Sequence, residues 1–146
     1  MHGDDRLVRV AGEWVRKAEN DLRNATHTLK LGEDCPTDTV CFHAQQCVEK
    51  YVKALLVLCG RDFPKTHNVD ELLLRLPADV RTALTALTAE EQDRLTEYAT
   101  VTRYPGDYEP IPLTEARAAV RLARRGRKAA RAHLPPAALR PPRRDA

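Results

Sequence analysis

Aromatic residues make up only 5% of this 146-residue chain, and long apolar runs are missing. No segment alternates apolar and polar residues between hairpin turns, which argues against a β-sheet protein. No apolar run reaches ~18 residues, and the N-terminal MHGDDRLVRV has no apolar signal core. We therefore expect a cytoplasmic protein that does not contact a membrane. Alanine and leucine must fill the core, which favours an all-α domain.

The chain is also short of paired cysteines. Its four cysteines are Cys35, Cys41, Cys47 and Cys59, and none of them forms a CxxC pair. A zinc site is usually built from such closely spaced pairs, and the last three cysteines fall on a predicted helix. We expect reduced thiols that act as small core residues, with no metal site and no cofactor.

What the chain does have is one strongly patterned helix, predicted from Thr37 to Cys59. Apolar residues recur along it at helical spacing, at Val40, Ala44, Cys47, Val48, Tyr51, Leu55 and Leu58. Its opposite face carries polar residues beside Phe42, at His43, Gln46, Lys50 and Lys53. We predict that the first face packs in the core and that the second forms one wall of a binding site.

Further helices are predicted at 7–31, 69–76, 80–87, 89–103 and 113–132. Capping boxes are expected at Asn68 and Thr88, and Asp79 is expected to cap the short helix between them. Short connections favour antiparallel neighbours, so residues 1–133 should form an up-and-down bundle of four to five helices. Residues 134–146 are rich in proline and arginine and are predicted to be a disordered basic tail. Glu19, Asp21 and Arg23 lie outside the apolar stripe of the first helix and are predicted to be solvated.

Positive charge is concentrated near the C-terminus. Residues 114–146 hold ten Lys or Arg against two acidic residues, whereas the first 113 residues have a balance of −5. On the last helix, basic residues step three and four positions apart, at Arg117, Arg121, Arg124, Lys128 and Arg131. This line either follows a phosphate backbone or is an ordinary solvated surface.

Two other segments are candidates for chemistry. In PKTHN, His67 precedes a helix N-terminus, and together with Lys65 and Thr66 it forms either a phosphate cradle or a simple cap. In RYPGDY, residues 103–108 place an arginine, two tyrosines and Asp107 around a rigid proline. That segment is either part of a site or a helix end in which Asp107 pairs with the arginine.

Three segments in this order resemble the HEPN family: FHAQQCVEKYVKALL at 42–56, then PKTHNVDELLLRL, and finally TRYP at 102–105. The resemblance covers residues 13–133. It implies a bundle of four or five helices that dimerises, with a site near the subunit interface. Small bacterial members are often encoded beside a minimal nucleotidyltransferase as a toxin–antitoxin-type pair. Many members are metal-independent endoribonucleases whose site is an arginine followed, after four to six residues, by a histidine.

This chain departs from that motif. Arg103 lies at the matching junction, but the histidine positions hold Tyr108, Glu109 and Pro110. Arg103 and Tyr108 remain the candidate catalytic residues, although a tyrosine with a pKa of ~10 is a poor base near neutrality. A tyrosine hydroxyl in RYPGDY is also a possible acceptor for nucleotide modification by the nucleotidyltransferase partner. Whether the protein is an enzyme stays open.

Three functions follow from the resemblance and the missing histidine. The first is a homodimeric toxin-type subunit that binds nucleotide or RNA phosphate and acts with a minimal nucleotidyltransferase. Its predicted binding residues are His43, Gln46, Lys50, Lys53, Lys65, His67, Arg103, Tyr104 and Asp107. The second is a metal-independent endoribonuclease that uses Arg103 with a displaced histidine, either His43 or His67. The third is a non-catalytic dimerisation module.

Overall fold

The computed structural model describes residues 4–84, 87–100 and 110–140. The long helices within these ranges are α1 (Asp5–Leu29), α2 (Thr37–Leu58), α5 (Ala89–Thr100) and α6 (Leu113–Arg131). The short ones are α3 (Val69–Leu74), α4 (Ala78–Ala83) and α7 (Pro136–Leu139), and a 3-10 turn at Gly32–Asp34 links α1 to α2. The described residues form no strand, and the prediction of an all-α fold is confirmed. None of these helices is long and apolar enough to span a membrane.

The four long helices alternate in direction. The Thr37 hydroxyl donates to the Ile111 carbonyl at 2.6 Å, which places the start of α6 beside the start of α2. The Tyr98 hydroxyl donates to Glu115 at 2.7 Å, so the end of α5 lies beside the first turn of α6. With α1 antiparallel to α2, this is the predicted up-and-down bundle.

Helix α2 is the central element and is buried on almost every side. Its predicted apolar stripe lies in the core, except that Leu58 is half-buried. Gln45, Glu49 and Lys53 on its other sides are also buried. The polar face of α2 is therefore mostly an interior surface, and its polar groups need partners inside the protein.

Local capping explains where α3 and α5 begin. Asn68 Oδ1 accepts a hydrogen bond from the Glu71 N–H at 3.1 Å. Thr88 and Glu91 form a reciprocal capping box, with bonds of 3.1 and 3.0 Å between each side chain and the other's N–H. Both predicted starts are confirmed. The prediction for Asp79 is wrong, because α4 begins at Ala78 and Asp79 lies inside its first turn.

Helix α2 ends in a Schellman motif. Gly60 has φ of 67°, the left-handed region that other residues enter at a cost of about 1–2 kcal/mol. Its N–H donates to the Val57 carbonyl and the Arg61 N–H donates to the Leu56 carbonyl, both at 2.9 Å. These bonds satisfy carbonyls that the last turn would otherwise leave free.

The four cysteines are free thiols. Cys35, Cys41 and Cys47 are buried, as predicted, but Cys59 at the end of α2 is exposed. Burial raises the pKa of the Cys47 thiol and keeps it in its neutral form. Three of the cysteines therefore serve as small core residues.

Part of the predicted tail is ordered, which corrects the boundary at 134. Leu134 and Ala138 are buried, and the short helix α7 packs against α1. The contact is close, since a Cβ built on Gly12 would lie 3.4 Å from the Ala138 carbonyl oxygen. Leu134 and Ala138 are spaced four apart and give residues 134–140 an apolar surface that can be buried. A prediction from proline and arginine content alone misses this spacing. Residues 141–146 lie outside the described part.

Candidate functional site

The predicted polar face of α2 divides into two hydrogen-bonded networks, each centred on a buried carboxylate. His43 and Lys50 bond to Asp21 of α1, and Lys53 bonds to Glu49 within α2. His43 and Lys53 are ten residues apart, which is about 15 Å along a helix axis. The predicted residues therefore form two neighbouring clusters instead of one continuous wall.

The first cluster is organised by Asp21. Its Oδ1 lies 2.7 Å from His43 Nδ1, and its Oδ2 accepts a hydrogen bond from Lys50 Nζ at 2.5 Å. Asp21 is only 6% exposed, so the prediction that it is solvated is wrong. The side of α1 that carries Asp21 packs against α2, and a buried carboxylate there requires ionic partners.

The Asp21 contact determines which chemistry His43 can perform. An ionised carboxylate only accepts hydrogen bonds, so His43 must carry its proton on Nδ1 to make this contact. The second ring nitrogen, Nε2, then carries the lone pair and can act as a base. The His43 side chain is about a quarter exposed, so it is accessible from solvent. A carboxylate that orients a histidine in this way is a recurrent arrangement in enzyme sites.

The second cluster is organised by Glu49, which is 2% exposed. Glu49 Oε1 lies 2.7 Å from His67 Nδ1 and accepts a bond from Gln45 Nε2 at 3.1 Å, while its Oε2 accepts from Lys53 Nζ at 3.1 Å. Gln46, a predicted binding residue, is buried and donates to Gln45 Oε1 at 2.6 Å. The cluster thus ties the segment before α3 to the central helix.

Lys53 is more deeply buried than its predicted role in phosphate binding would require. Its ammonium group is 5.3 Å from the centre of the Trp14 ring and 5.7 Å from that of Phe63. The two rings meet edge to face, with centroids 6.3 Å apart. Together with Glu49, these contacts hold the charge of Lys53 inside the protein. Phosphate binding by Lys53 stays a prediction that the burial does not favour.

In the PKTHN segment, Thr66 and Asn68 already make hydrogen bonds within the segment and to the start of α3. The Thr66 hydroxyl accepts a bond from the Asn68 N–H at 3.1 Å, and Asn68 caps α3. Lys65 is exposed, and His67 is about half exposed with its Nδ1 at Glu49. The segment therefore offers a histidine that Glu49 holds in position, whereas the N–H of Asn68 is already bonded and is not free to bind a phosphate.

Four predicted residues, Arg103, Tyr104, Asp107 and Tyr108, lie outside the described residues. Their roles stay predictions. The described residues on either side, Tyr98 and Ile111, are both held at the end of the bundle where α2 begins. His43 is six residues after Thr37, or about 9 Å along α2. The Asp21 cluster therefore lies closer along α2 to that end of the bundle than the Glu49 cluster does.

A third network joins α1, α2 and α6, and sequence reasoning missed it. Glu19 accepts two bonds from Arg127, at 2.8 Å from both Nε and Nη2, and one from the Tyr51 hydroxyl at 2.7 Å. Arg131 donates to the Tyr51 oxygen at 3.1 Å. Glu19 is thus half-buried and ion-paired where a solvated charge is predicted, and Arg131 contacts this network instead of lying with the predicted outer basic residues. A signal was available, because a tyrosine on a buried stripe needs a partner for its hydroxyl.

The electrostatics of this third network follow from its contacts. Burial alone would raise the pKa of Glu19, but the bonds from Arg127 and Tyr51 outweigh it, so the pKa lies below the usual value. The pKa of Tyr51 is raised by burial and by its bond to Glu19. Both groups therefore keep one charge state near neutrality, which suits a structural role.

A carboxylate pair outside these networks behaves differently. Burial, reinforced by the nearby carboxylate of Asp93, raises the pKa of Asp70 to about 6. Asp70 Oδ1 is buried and has no hydrogen-bond partner among the described residues. Two like charges where α3 meets α5 therefore repel each other at neutral pH.

The fold and these clusters define an up-and-down helical bundle with two carboxylate–histidine pairs, each of which has one member on the central helix. Residues 11–132 match the family described as HEPN domain. The match covers most of the chain, so this protein belongs to the HEPN family.

Solved structures show the same fold. The archaeal HEPN homologue ST0689 is 27% identical, with a TM-score of 0.64 over 86% of this chain and 98% of that chain. The protein TT1696 from Thermus thermophilus is 28% identical, with a TM-score of 0.65 over 86% of this chain and 99% of that chain.

One relative is similar over a shorter stretch. A segment of 53 residues is 43% identical to the protein named "Putative toxin MJ1304" of Methanocaldococcus jannaschii. The segment is 36% of this chain and 33% of that relative, so the chain matches about a third of the relative's length.

Proposed function

We propose that this protein is a toxin-type HEPN subunit that binds a phosphate-bearing ligand, a nucleotide or RNA, at the Asp21 cluster. The observation that carries the proposal is the carboxylate of Asp21 bonded to both His43 and Lys50, whose side chains are 25% and 21% exposed. Membership of the HEPN family and the similarity to a protein named as a toxin support the same class. We further propose that the chain acts as a homodimer with a minimal nucleotidyltransferase.

The Asp21 cluster suits an anion for a physical reason. A lysine ammonium group has three donors, and Asp21 uses one of those of Lys50, so two remain for phosphate oxygens. His43 adds a donor at Nε2 when it takes up a proton. Arg103 and Tyr104 follow the end of α5, and we propose that they complete the site from the opposite side.

Titration calorimetry with ATP and with a 12-nucleotide RNA tests this proposal. Both probes should bind the wild-type protein. His43→Gln and Lys50→Gln should each weaken binding at least tenfold, since a charge-assisted hydrogen bond contributes roughly 1.5–3 kcal/mol. The matched control is Lys30→Gln, which removes an exposed charge at the end of α1. Equal losses in the control, or no binding by the wild type, would contradict the proposal.

The partner is tested separately. A tagged chain that is co-expressed with a minimal nucleotidyltransferase should retain it through purification, and the assembly should contain two copies of the chain. Recovery of the chain alone would remove the transferase from the proposal without affecting the binding site.

A second candidate function is metal-independent endoribonuclease activity. The observation in its favour is the Asp21–His43 pair, which supplies an oriented base about 9 Å along α2 from Thr37, the residue that bonds to Ile111. In this mechanism His43 removes the proton of a 2′-hydroxyl, and the 2′-oxygen bonds to phosphorus as the P–O5′ bond breaks. Arg103 stabilises the charge that develops on the phosphate, and the departing 5′-oxygen takes a proton from water.

RNA cleavage in excess EDTA tests the second candidate. Arg103→Ala and His43→Gln should each reduce the cleavage rate at least 100-fold, the lower end of what one catalytic acid or base contributes. His67→Gln serves as the comparison, since the other carboxylate–histidine pair should not be required. Cleavage that continues unchanged in Arg103→Ala would exclude this mechanism.

A further inference from the structure

A groove of about 660 Å³ runs between α1 and α6. Five Lys or Arg side chains line it, against the single carboxylate of Glu19. Arg23 stands on the α1 side, and Arg124 and Lys128 stand one turn apart on the α6 side. All three are exposed, and Leu22 forms part of the apolar wall.

The positive charge of this groove is not cancelled from within. The Glu19 carboxylate is already held by Arg127 and by the Tyr51 hydroxyl. In the described part of the chain, neither Arg23 nor Lys128 has a hydrogen-bond or ion-pair partner. Arg124 donates only to a neutral group, the Thr26 hydroxyl, at 3.3 Å. Three cations thus face one concave surface without a counter-charge.

This groove is separate from the Asp21 cluster. Glu19, at the groove, and Asp21 are two positions apart on α1, and residues two apart project nearly opposite ways at 3.6 residues per turn. Asp21 faces His43 and Lys50 of α2, whereas Glu19 faces Arg127 of α6. Ligands at the two places would contact different sides of α1.

The geometry identifies the kind of ligand. Arg124 and Lys128 lie about 5–6 Å apart as an i,i+4 pair, and Arg23 faces them across the groove. Guanidinium groups bind phosphate through two parallel N–H bonds and also stack on bases, which ammonium groups cannot do. The volume of about 660 Å³ lies within the range of small-ligand clefts, so a segment of single-stranded nucleic acid fits the groove.

We propose that the α1–α6 groove is a second binding site that holds backbone phosphates of single-stranded RNA through Arg23, Arg124 and Lys128. It deepens the proposed function and rests on it, because both require that the protein binds RNA. An RNA long enough to reach from the groove to the Asp21 cluster would pass around α1 and contact both sites.

The test is the salt dependence of binding to a fluorescently labelled 12-nucleotide oligouridylate between 50 and 200 mM NaCl. The groove variant carries Arg23→Gln and Lys128→Gln. Both residues are exposed, so removing their charges should leave the fold intact. The control carries Arg9→Gln and Lys30→Gln, two exposed positions that remove the same charge outside the groove. ATP binding, measured in parallel with the wild type and His43→Gln, reports on the Asp21 cluster, because a loss in His43→Gln assigns the ATP site to that cluster and not to the groove.

The groove variant should bind oligouridylate about tenfold more weakly, and its log–log salt slope should fall by about 1.4, or 0.7 for each lost phosphate contact. The control should keep the wild-type slope, and ATP binding should be unchanged in both. Equal loss in the control would show that only net charge matters and would overturn the proposal. Equal competition by oligoglutamate of the same charge would overturn it as well.

The failure of each proposal can be recognised. Normal oligouridylate binding in the groove variant, with loss in His43→Gln, would overturn the groove and leave the proposed function standing. Loss of oligouridylate binding in the groove variant, with normal ATP binding, would support the groove. No binding of either probe by the wild-type protein would overturn both.

Discussion

Asp21 and His43 are 22 residues apart in the chain, and Asp21 Oδ1 lies 2.7 Å from His43 Nδ1. The contact joins α1 to α2 and holds a histidine in one orientation at the most polar part of the central helix. Lys50 bonds to the other oxygen of the same carboxylate. One buried aspartate thus sets the geometry of two candidate ligand-binding groups, and this makes it the first residue to test.

Asp21→Asn should allow the imidazole of His43 to adopt either neutral tautomer. In the wild-type protein the carboxylate requires the Nδ1–H form, whereas an amide can donate or accept and removes this requirement. Two-dimensional ¹H–¹⁵N spectra of the imidazole nitrogens should show Nδ1–H in the wild type and a mixture in the variant. The variant should also lose about 1–3 kcal/mol of stability, because Lys50 is left with a weaker partner. Asp34→Asn, at an exposed position, should show neither effect.

Glu19→Gln should destabilise the protein at neutral pH by about 1–2 kcal/mol, a figure reduced for the partial exposure of the network. The folded protein holds the pKa of Glu19 below its ordinary value of 4.5, so this stabilisation is present above pH 4.5. It is lost as the pH falls through the folded-state pKa, since the wild-type carboxyl is then protonated as well. Urea unfolding at several pH values should show the two proteins converging in acid. A constant difference down to pH 2 would contradict this assignment.

Asp70→Asn should have the opposite effect on stability and make the folded protein more stable at neutral pH. The pKa of Asp70 is raised to about 6 in the folded protein, first by burial and then by Asp93, from an ordinary value of 3.8. The folded state therefore binds the proton more tightly, and the wild type gains stability as the pH falls from about 6 towards 4. The variant should be more stable than the wild type above pH 6, by roughly 0.5–1 kcal/mol after screening by solvent. Thermal unfolding at pH 7.5 and pH 4.5 measures this gain and its disappearance, and Asp62→Asn is the exposed control.

The helices could be predicted because their signals are local. Apolar spacing along α2 and the capping box of Thr88 and Glu91 depend only on residues close in sequence, and both are present in the structure. The start of α4 has a weaker signal, since the helix begins at Ala78 after Pro77 with no side-chain cap hydrogen bond, and the prediction from Asp79 misses it. The HEPN resemblance rested on three local segments in order, and the family match over residues 11–132 confirms it.

The partners of the candidate site could not be predicted in the same way. Whether Asp21 or Glu19 is solvated depends on how α1 is rotated against α2 and α6, which is a long-range property. A partial signal was present, because Glu49, Lys50 and Lys53 are the charged residues of an otherwise apolar stretch at 47–58. Buried polar groups need partners, so carboxylates of the antiparallel α1 were the candidates to consider. The role of Arg103, by contrast, rests on sequence resemblance alone.

Gly126 on α6 offers a last test of how closely the bundle is packed. A Cβ at this position would lie 3.4 Å from Val48 Cγ2 and 3.6 Å from Leu87 Cδ1, which is ordinary contact for a single methyl group. Gly126→Ala should therefore stabilise the protein by about 0.5–1 kcal/mol, since alanine is the better helix former and fills the space without a clash. Gly126→Val adds two further methyl groups against the same neighbours and should destabilise by about 1–3 kcal/mol. Urea unfolding of the two variants measures both signs. Destabilisation by alanine as well would show that α6 and α2 approach more closely than this geometry allows.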